Sequence, residues 1–226
     1  MTTFFAGYDG LLCDLDGVVY AGTRPIDEAI DTLNALTTAG VPVAFVTNNA
    51  SKAANEVAER LIELGVETTP QHVMTSAQAV VDVIASDYDR AAGPVLVTGS
   101  PQLTEQIRAA GFDVTQAATD KPQVVVQGFN PKLGWEDLAQ ASFAIQRGAA
   151  WLATNLDLTI PLSQGVAPGN GSLVNAIAQA TGTRPELAAG KPAPVMFATM
   201  AQKFAMTTPL VVGDRLDTDV LGAANA

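Results

Sequence analysis

Residues 11–20 read Leu11-Leu12-Cys13-Asp14-Leu15-Asp16-Gly17-Val18-Val19-Tyr20, an apolar run that delivers two carboxylates two positions apart and then a glycine. Side chains alternate along a strand, so Asp14 and Asp16 leave the same side of it. Carboxylates at the end of an apolar strand are costly to bury unless a cation or strong donors meet them. Gly17 permits a sharp turn there, because only glycine takes positive φ without penalty. The combination marks this strand end as a site.

The segments that follow alternate between strand and helix signals. Pro25 reads as a first helical residue, Ile26, Ile30 and Leu33 recur at helical spacing, and Gly40 stops the helix. Val41 to Val46 is a short apolar strand that delivers Thr47-Asn48-Asn49, and Ser51 is placed to cap a helix whose buried stripe is Val57, Leu61 and Leu64. Ser76 opens another helix. The polar, turn-like stretch 86–94 separates this series from a second one, with strands at 95–97, 124–126 and 150–153 and helices at about 101–110, 135–147 and 172–181. Gly182-Thr183-Arg184-Pro185 is a second break, after which a helix at 195–204 and the strand Leu210-Val211-Val212 again lead into carboxylates.

The pattern predicts an α/β chain: a core of residues 1–88 and 185–226 with a parallel sheet, and an inserted α/β domain over 89–184. Ligands of such sheets lie beyond the carboxyl ends of the strands, where Asp14, Asp16 and Thr47 are expected.

Composition removes several function classes. The formal charge of -11 argues against nucleic acid or an anionic membrane as partner, and no run is long enough to span a bilayer. The start, Met1-Thr2-Thr3-Phe4-Phe5, has no basic leader, and Cys13 is the single cysteine, so a cytoplasmic setting is expected. One histidine and one cysteine leave no zinc site built from those residues. A metal here takes oxygen ligands, which points to magnesium or calcium.

The polar groups expected at strand ends are Asp14, Asp16, Thr47, Lys191, Asp214 and Asp219. Four carboxylates, an ammonium and a hydroxyl make a hard-cation site beside an anion site. Asp14 and Asp214 suit Mg²⁺, with the Asp16 carbonyl added. Lys191 with the ion neutralises a phosphoryl group whose oxygens Thr47 and the Asn48 amide hold. A carboxylate so placed can attack phosphorus in line to give an aspartyl-phosphate, and Asp16 is placed to protonate the leaving alkoxide and then activate water.

Four segments carry a resemblance. Asp14-Leu15-Asp16-Gly17-Val18, Val46-Thr47-Asn48-Asn49, Gly190-Lys191-Pro192 and Gly213-Asp214 through Asp219 resemble, in order, the four motifs of the haloacid dehalogenase-like superfamily of phosphatases. Asp-Gly-Val-Val-Tyr, Thr-Asn-Asn-Ala-Ser and Ala153-Thr154-Asn155-Leu156-Asp157 are similar to its NagD-type, p-nitrophenyl phosphatase-like branch. The resemblance implies a Rossmann-like core with an inserted α/β cap between the second and third motifs. It makes Asp14 the nucleophile and Asp16 the general acid and base. Thr47 and Lys191 then hold the phosphoryl group, Asp214 is a metal ligand, and Asp219 supports the metal site.

It further implies that the cap loop from Asn155 through Asp157 to Ile160 selects the substrate. An apolar Ile160 weighs against pyridoxal phosphate. The remaining branch substrates are small soluble phosphomonoesters: p-nitrophenyl phosphate, phosphoglycolate, glycerol phosphate and nucleoside monophosphates. Pairing of two copies through the cap is another implication. A phosphomutase, or a phosphometabolite-binding protein without catalysis, is the alternative on the same residues. Relatives of this kind continue past the fourth motif, where this sequence ends at Ala226.

Other residues have structural readings. Asp217 is expected to cap a helix, Asn49 to shape a turn, Cys13 to pack beside the nucleophile, His72 to lie in a surface turn, and Trp135 and Trp151 to sit in the core of the inserted domain.

Overall fold

The structure is a computed structural model that describes residues 3–162 and 164–226. Residues 1–2, part of the start read as lacking a leader, lie outside it. The chain falls into two compact units, one of Met1–Thr47, Lys52–Thr75 and Lys191–Ala226, the other of Asn48–Ser51 and Ser76–Gly190.

In chain order, β1 is Gly10–Cys13, β2 and β3 are the two-residue pair Tyr20–Ala21 and Arg24–Pro25, and α1 is Asp27–Thr38. Then come β4 (Val43–Thr47), α2 (Ala54–Glu63), β5 (Val73–Thr75), α3 (Ser76–Asp87), β6 (Val95–Thr98), α4 (Pro101–Ala109), β7 (Val114–Thr115) and β8 (Val124–Gln127). They are followed by α5 (Trp135–Gln146), β9 (Ala150–Ala153), β10 (Thr159–Leu162), β11 (Gly165–Pro168), α6 (Asn170–Thr181), β12 (Leu187–Ala188), α7 (Val195–Lys203), β13 (Pro209–Val212) and α8 (Leu221–Asn225).

The first unit is a parallel sheet in the order β13-β1-β4-β5. Every residue of β1 and β4 is buried, as strands covered on both faces must be. Leu11, Cys13, Leu15, Val43, Phe45 and Val73 form one core with Ile30 and Leu33 of α1 and Val57 and Leu61 of α2. On α7, Met196, Phe197 and Met200 are buried, and the helix lies against β1, β4 and β5. Cys13 is buried, as its apolar neighbours require.

The second unit is a parallel sheet in the order β12-β9-β8-β6-β7. Leu96, Val125, Trp151 and Ala153 pack with α5 and α6. The strands β10 and β11 form an antiparallel hairpin apart from that sheet.

Several local expectations are corrected. Pro25 pairs with Tyr20 across the β2–β3 ribbon, and the helix starts at Asp27, where two acidic residues occupy the first turn. Ser51 does not cap α2. Its N–H and hydroxyl both donate to Asn49 Oδ1, and Glu56 accepts from the Ala53 N–H at the helix start. Trp135 is the first residue of α5 and is 77% exposed, whereas Trp151 is in the core. Asp217 is exposed and pairs with Arg215 at 2.8 Å instead of capping a helix. The helix α3 packs on α4 and belongs to the second unit, together with Asn48–Ser51.

Candidate active site

In the first unit the site stands at the carboxyl ends of β1, β4 and β13. Asp14 prolongs the ladder by donating its N–H to the Val212 carbonyl at 2.8 Å. The chain then reverses tightly: the N–H groups of Val18 and Val19 donate to Leu15 O at 3.2 and 2.9 Å, and Gly17 N–H donates to Tyr20 O at 2.8 Å. Gly17 has φ +83°, and a Cβ there would collide with the Asp214 carboxylate. A glycine is therefore required twice over at this position, by conformation and by space.

Asp14 is 9% exposed and Lys191 3% exposed, and the Lys191 ammonium donates to Asp14 Oδ1 at 2.5 Å and to Asp219 Oδ1 at 2.6 Å. Asp219 is itself buried, and its Oδ2 accepts from the Arg215 N–H and the Thr218 hydroxyl, each at 3.2 Å. Gly213 leaves the space that the Asp219 side chain occupies. Carboxylate oxygens of Asp14, Asp214 and Asp219 all lie within 4.8 Å of one another. Thr47 is buried at the end of β4, in register with Thr75.

The electrostatics follow from this crowding. Burial pushes the Asp14 carboxyl up to about 6, Lys191 pulls it back, and Asp219 adds to the rise. Asp16 is raised as well, first by desolvation and then by the charge of Asp214. One ammonium contacts two of the three carboxyl groups in the cluster, Asp14 and Asp219. Oxygen-only donors at this spacing suit a hard divalent cation.

The remaining residues singled out from sequence lie in the second unit. Asn48 Nδ2 donates to Asp157 Oδ1 and Oδ2 at 3.2 and 3.1 Å. Asn155 is buried, and its amide donates to Asn48 O at 2.9 Å. Ile160 sits in β10 opposite Ala167, with Leu158 and Leu162 more exposed on either side. The ties from Asn155 and Asp157 to Asn48, over a hundred residues away in sequence, were not legible from sequence. In the fold, a Cβ on Gly190 would press on Asn48 and Asn155.

Comparison with known proteins gives a consistent set of likenesses. Residues 11–113 match the haloacid dehalogenase-like hydrolase model, and residues 188–226 match a second, HAD-hydrolase-like model. A D-glycerol 3-phosphate phosphatase of Mycobacterium tuberculosis is 43% identical over 216 residues, covering 96% of this chain and 60% of its own length. An acid sugar phosphatase of Staphylococcus aureus is 33% identical over 220 residues, covering 96% of this chain and 83% of its own. The crystal structure of the M. tuberculosis glycerol phosphate phosphatase in complex with magnesium superposes with a TM-score of 0.91 at 41% identity, over 100% of this chain and 68% of that one. The chain thus spans 60% of the length of the first of these relatives.

Proposed function

Since the chain belongs to the haloacid dehalogenase-like hydrolases, we propose that it is a Mg²⁺-dependent phosphatase of small phosphomonoesters that works through an aspartyl-phosphate on Asp14. The observation that carries this reading is the convergence of Asp14, Lys191, Asp214 and Asp219 from three segments far apart in sequence.

The residues fit magnesium: Asp14, Asp214 and Asp219 offer oxygens close together. Bound there, Mg²⁺ supplies positive charge to the phosphoryl oxygens and holds Asp14 ionised. Asp14 attacks phosphorus with one carboxylate oxygen, forming the O–P bond as the ester oxygen leaves. Asp16, whose carboxyl is pushed up by burial and then by the charge of Asp214, gives its proton to that oxygen, and the alcohol departs. Asp16 then takes a proton from water as the water attacks the acyl-phosphate, and inorganic phosphate is released with Asp14 restored. Lys191 balances the phosphoryl charge, while the Thr47 hydroxyl and the Asn48 N–H hold its oxygens.

The substrates in this reading are small and soluble, of the glycerol phosphate, sugar phosphate, phosphoglycolate, nucleotide or p-nitrophenyl phosphate kind. The relatives named for glycerol 3-phosphate and acid sugars support that range. The inserted unit is assigned their selection. We place the protein in the cytoplasm, with a homodimer through the inserted unit as its assembly.

The test is release of p-nitrophenol and phosphate from p-nitrophenyl phosphate with and without Mg²⁺, followed by a panel of phosphorylated metabolites. Release that requires Mg²⁺ supports the proposal. Transfer of the phosphoryl group within a sugar phosphate without release would make the chain a mutase, and binding without turnover would make it a sensor.

A further inference from the structure

Asn48 directly follows Thr47, and Gly190 directly precedes Lys191. Both neighbours are held by a single loop of the second unit, 154–158.

Asn48 is gripped from three sides. Its carbonyl accepts from Ser76 Oγ at 2.7 Å and from Asn155 Nδ2 at 2.9 Å, and its side-chain amide donates to both oxygens of Asp157. Gly190 N–H donates to Thr154 O at 2.7 Å, and a Cβ on Gly190 would press against Asn48 Oδ1 and the Asn155 side chain.

The loop itself is anchored. Asn155 Oδ1 accepts from the Asp157 N–H at 3.2 Å, and Asn155 O accepts from Asn170 Nδ2 at 2.8 Å. Gly171 N–H donates to Asp157 O at 2.9 Å, and Ser172 Oγ donates to Leu158 O at 2.7 Å. At Gly169 and Gly171 a Cβ would collide with Asp157 O and Leu156 O. The carbonyls of 155, 157 and 158 therefore end on the first turn of α6, which leaves the loop little freedom to move.

We infer that Asp157 and Asn155 are positioning residues: they hold the Asn48 carbonyl and side chain, and with them the backbone that carries the Asn48 N–H, instead of selecting the organic part of the substrate. The inference rests on the proposed phosphate-holding role of that N–H. The Asp157 carboxylate is engaged by an amide with both its oxygens, which is an arrangement for orientation. A charge-assisted hydrogen bond of this kind is worth roughly a tenfold to hundredfold change in a binding constant when one partner is removed.

The test uses the intact chain, inorganic phosphate as a competitive inhibitor, and three phosphomonoesters that differ only in their organic group. Asp157→Ala should weaken phosphate inhibition and raise KM for all three esters by a common factor, roughly tenfold or more. Asp157→Asn, which keeps an acceptor for Asn48, should recover most of the loss. If Asp157→Ala does not fold, the exchange pair decides. Asn48→Asp alone should be impaired, and adding Asp157→Asn should restore phosphate inhibition, because donor and acceptor have traded places.

A change in the ranking of the three esters with phosphate inhibition unaltered would overturn the inference and make Asp157 a selecting residue, with the phosphatase reading intact. Failure of the exchange pair to recover would overturn it too. Absence of hydrolysis and phosphate inhibition in the unaltered chain would overturn the underlying reading, and this inference with it.

Discussion

Lys191 and Asp14 stand 177 positions apart in sequence, yet the lysine ammonium lies 2.5 Å from the aspartate carboxylate inside the fold. Asp219 Oδ1 accepts a second hydrogen bond from the same ammonium at 2.6 Å. Two carboxylates that would repel each other in a buried site are thus bridged by one cation, and the bridge joins the end of β1 and the helical turn Leu216–Val220 after β13 to the segment before α7.

Removing that cation should be expensive. Lys191→Met leaves Asp14 and Asp219 buried without a counter-charge, which costs about 3–5 kcal/mol when one partner of a buried pair is lost. Urea unfolding in the presence of a chelator measures this, and added Mg²⁺ should return part of the loss because the ion supplies the missing charge. Phosphatase turnover should be lost in either condition.

The protonation of Asp14 sets a pH dependence with a definite sign. In the ion-free protein its folded value of about 6 lies above its ordinary 3.8. The stability this group contributes is therefore fully present below pH 3.8 and declines as pH rises through about 6. Cation binding requires the ionised form, so affinity for Mg²⁺ should fall about tenfold per pH unit once pH drops below that value. Titration calorimetry at several pH values reads the second effect, and chelated unfolding curves read the first.

Asp16→Asn removes the proposed proton donor without touching the carboxylate trio. Turnover should fall about a hundredfold to ten-thousandfold, the usual worth of general acid–base catalysis. The loss should be smaller for p-nitrophenyl phosphate than for an alkyl phosphate, because p-nitrophenolate leaves with little help. Equal losses on both would argue against the acid role.

At the other end of β1, Asp9 accepts from the Thr207 N–H and hydroxyl and from the Thr208 N–H, which fixes the chain entering β13. These bonds hold its carboxyl below the usual range. Its contribution to stability is present above its ordinary value and lost as pH falls through the lowered one. Asp9→Ala should be less stable than the unaltered protein near neutral pH, and the two should converge as pH falls. Paired urea curves across the acid range check this.

Much of the site was legible in the sequence because its residues sit at strand ends that periodicity locates. Asp14 follows an apolar strand, Thr47 ends another, and Asp214 follows a third. The order of those strands in space was not legible: β1 lies between β13 and β4, and its pairing with β13 brings Asp14 and Asp214 together.

Short elements escaped for a simple reason. β2, β3, β7 and β12 have two residues each, too few to show a period, and their existence depends on tertiary partners. The hairpin β10–β11 carries apolar residues on both faces, so no alternation marks it. Trp135 shows the same limit from the other side: hydrophobicity alone does not tell which way the first turn of a helix points.

The central claim is that Asp14 accepts the phosphoryl group. Rapid quenching of the Mg²⁺-loaded protein during turnover of p-nitrophenyl phosphate, followed by peptide mass spectrometry, addresses it directly. The account predicts a phosphoryl adduct on the peptide that carries Asp14, and neither adduct nor turnover in Asp14→Asn with the fold retained. Undiminished turnover by that variant, or an adduct on a different side chain, would contradict it.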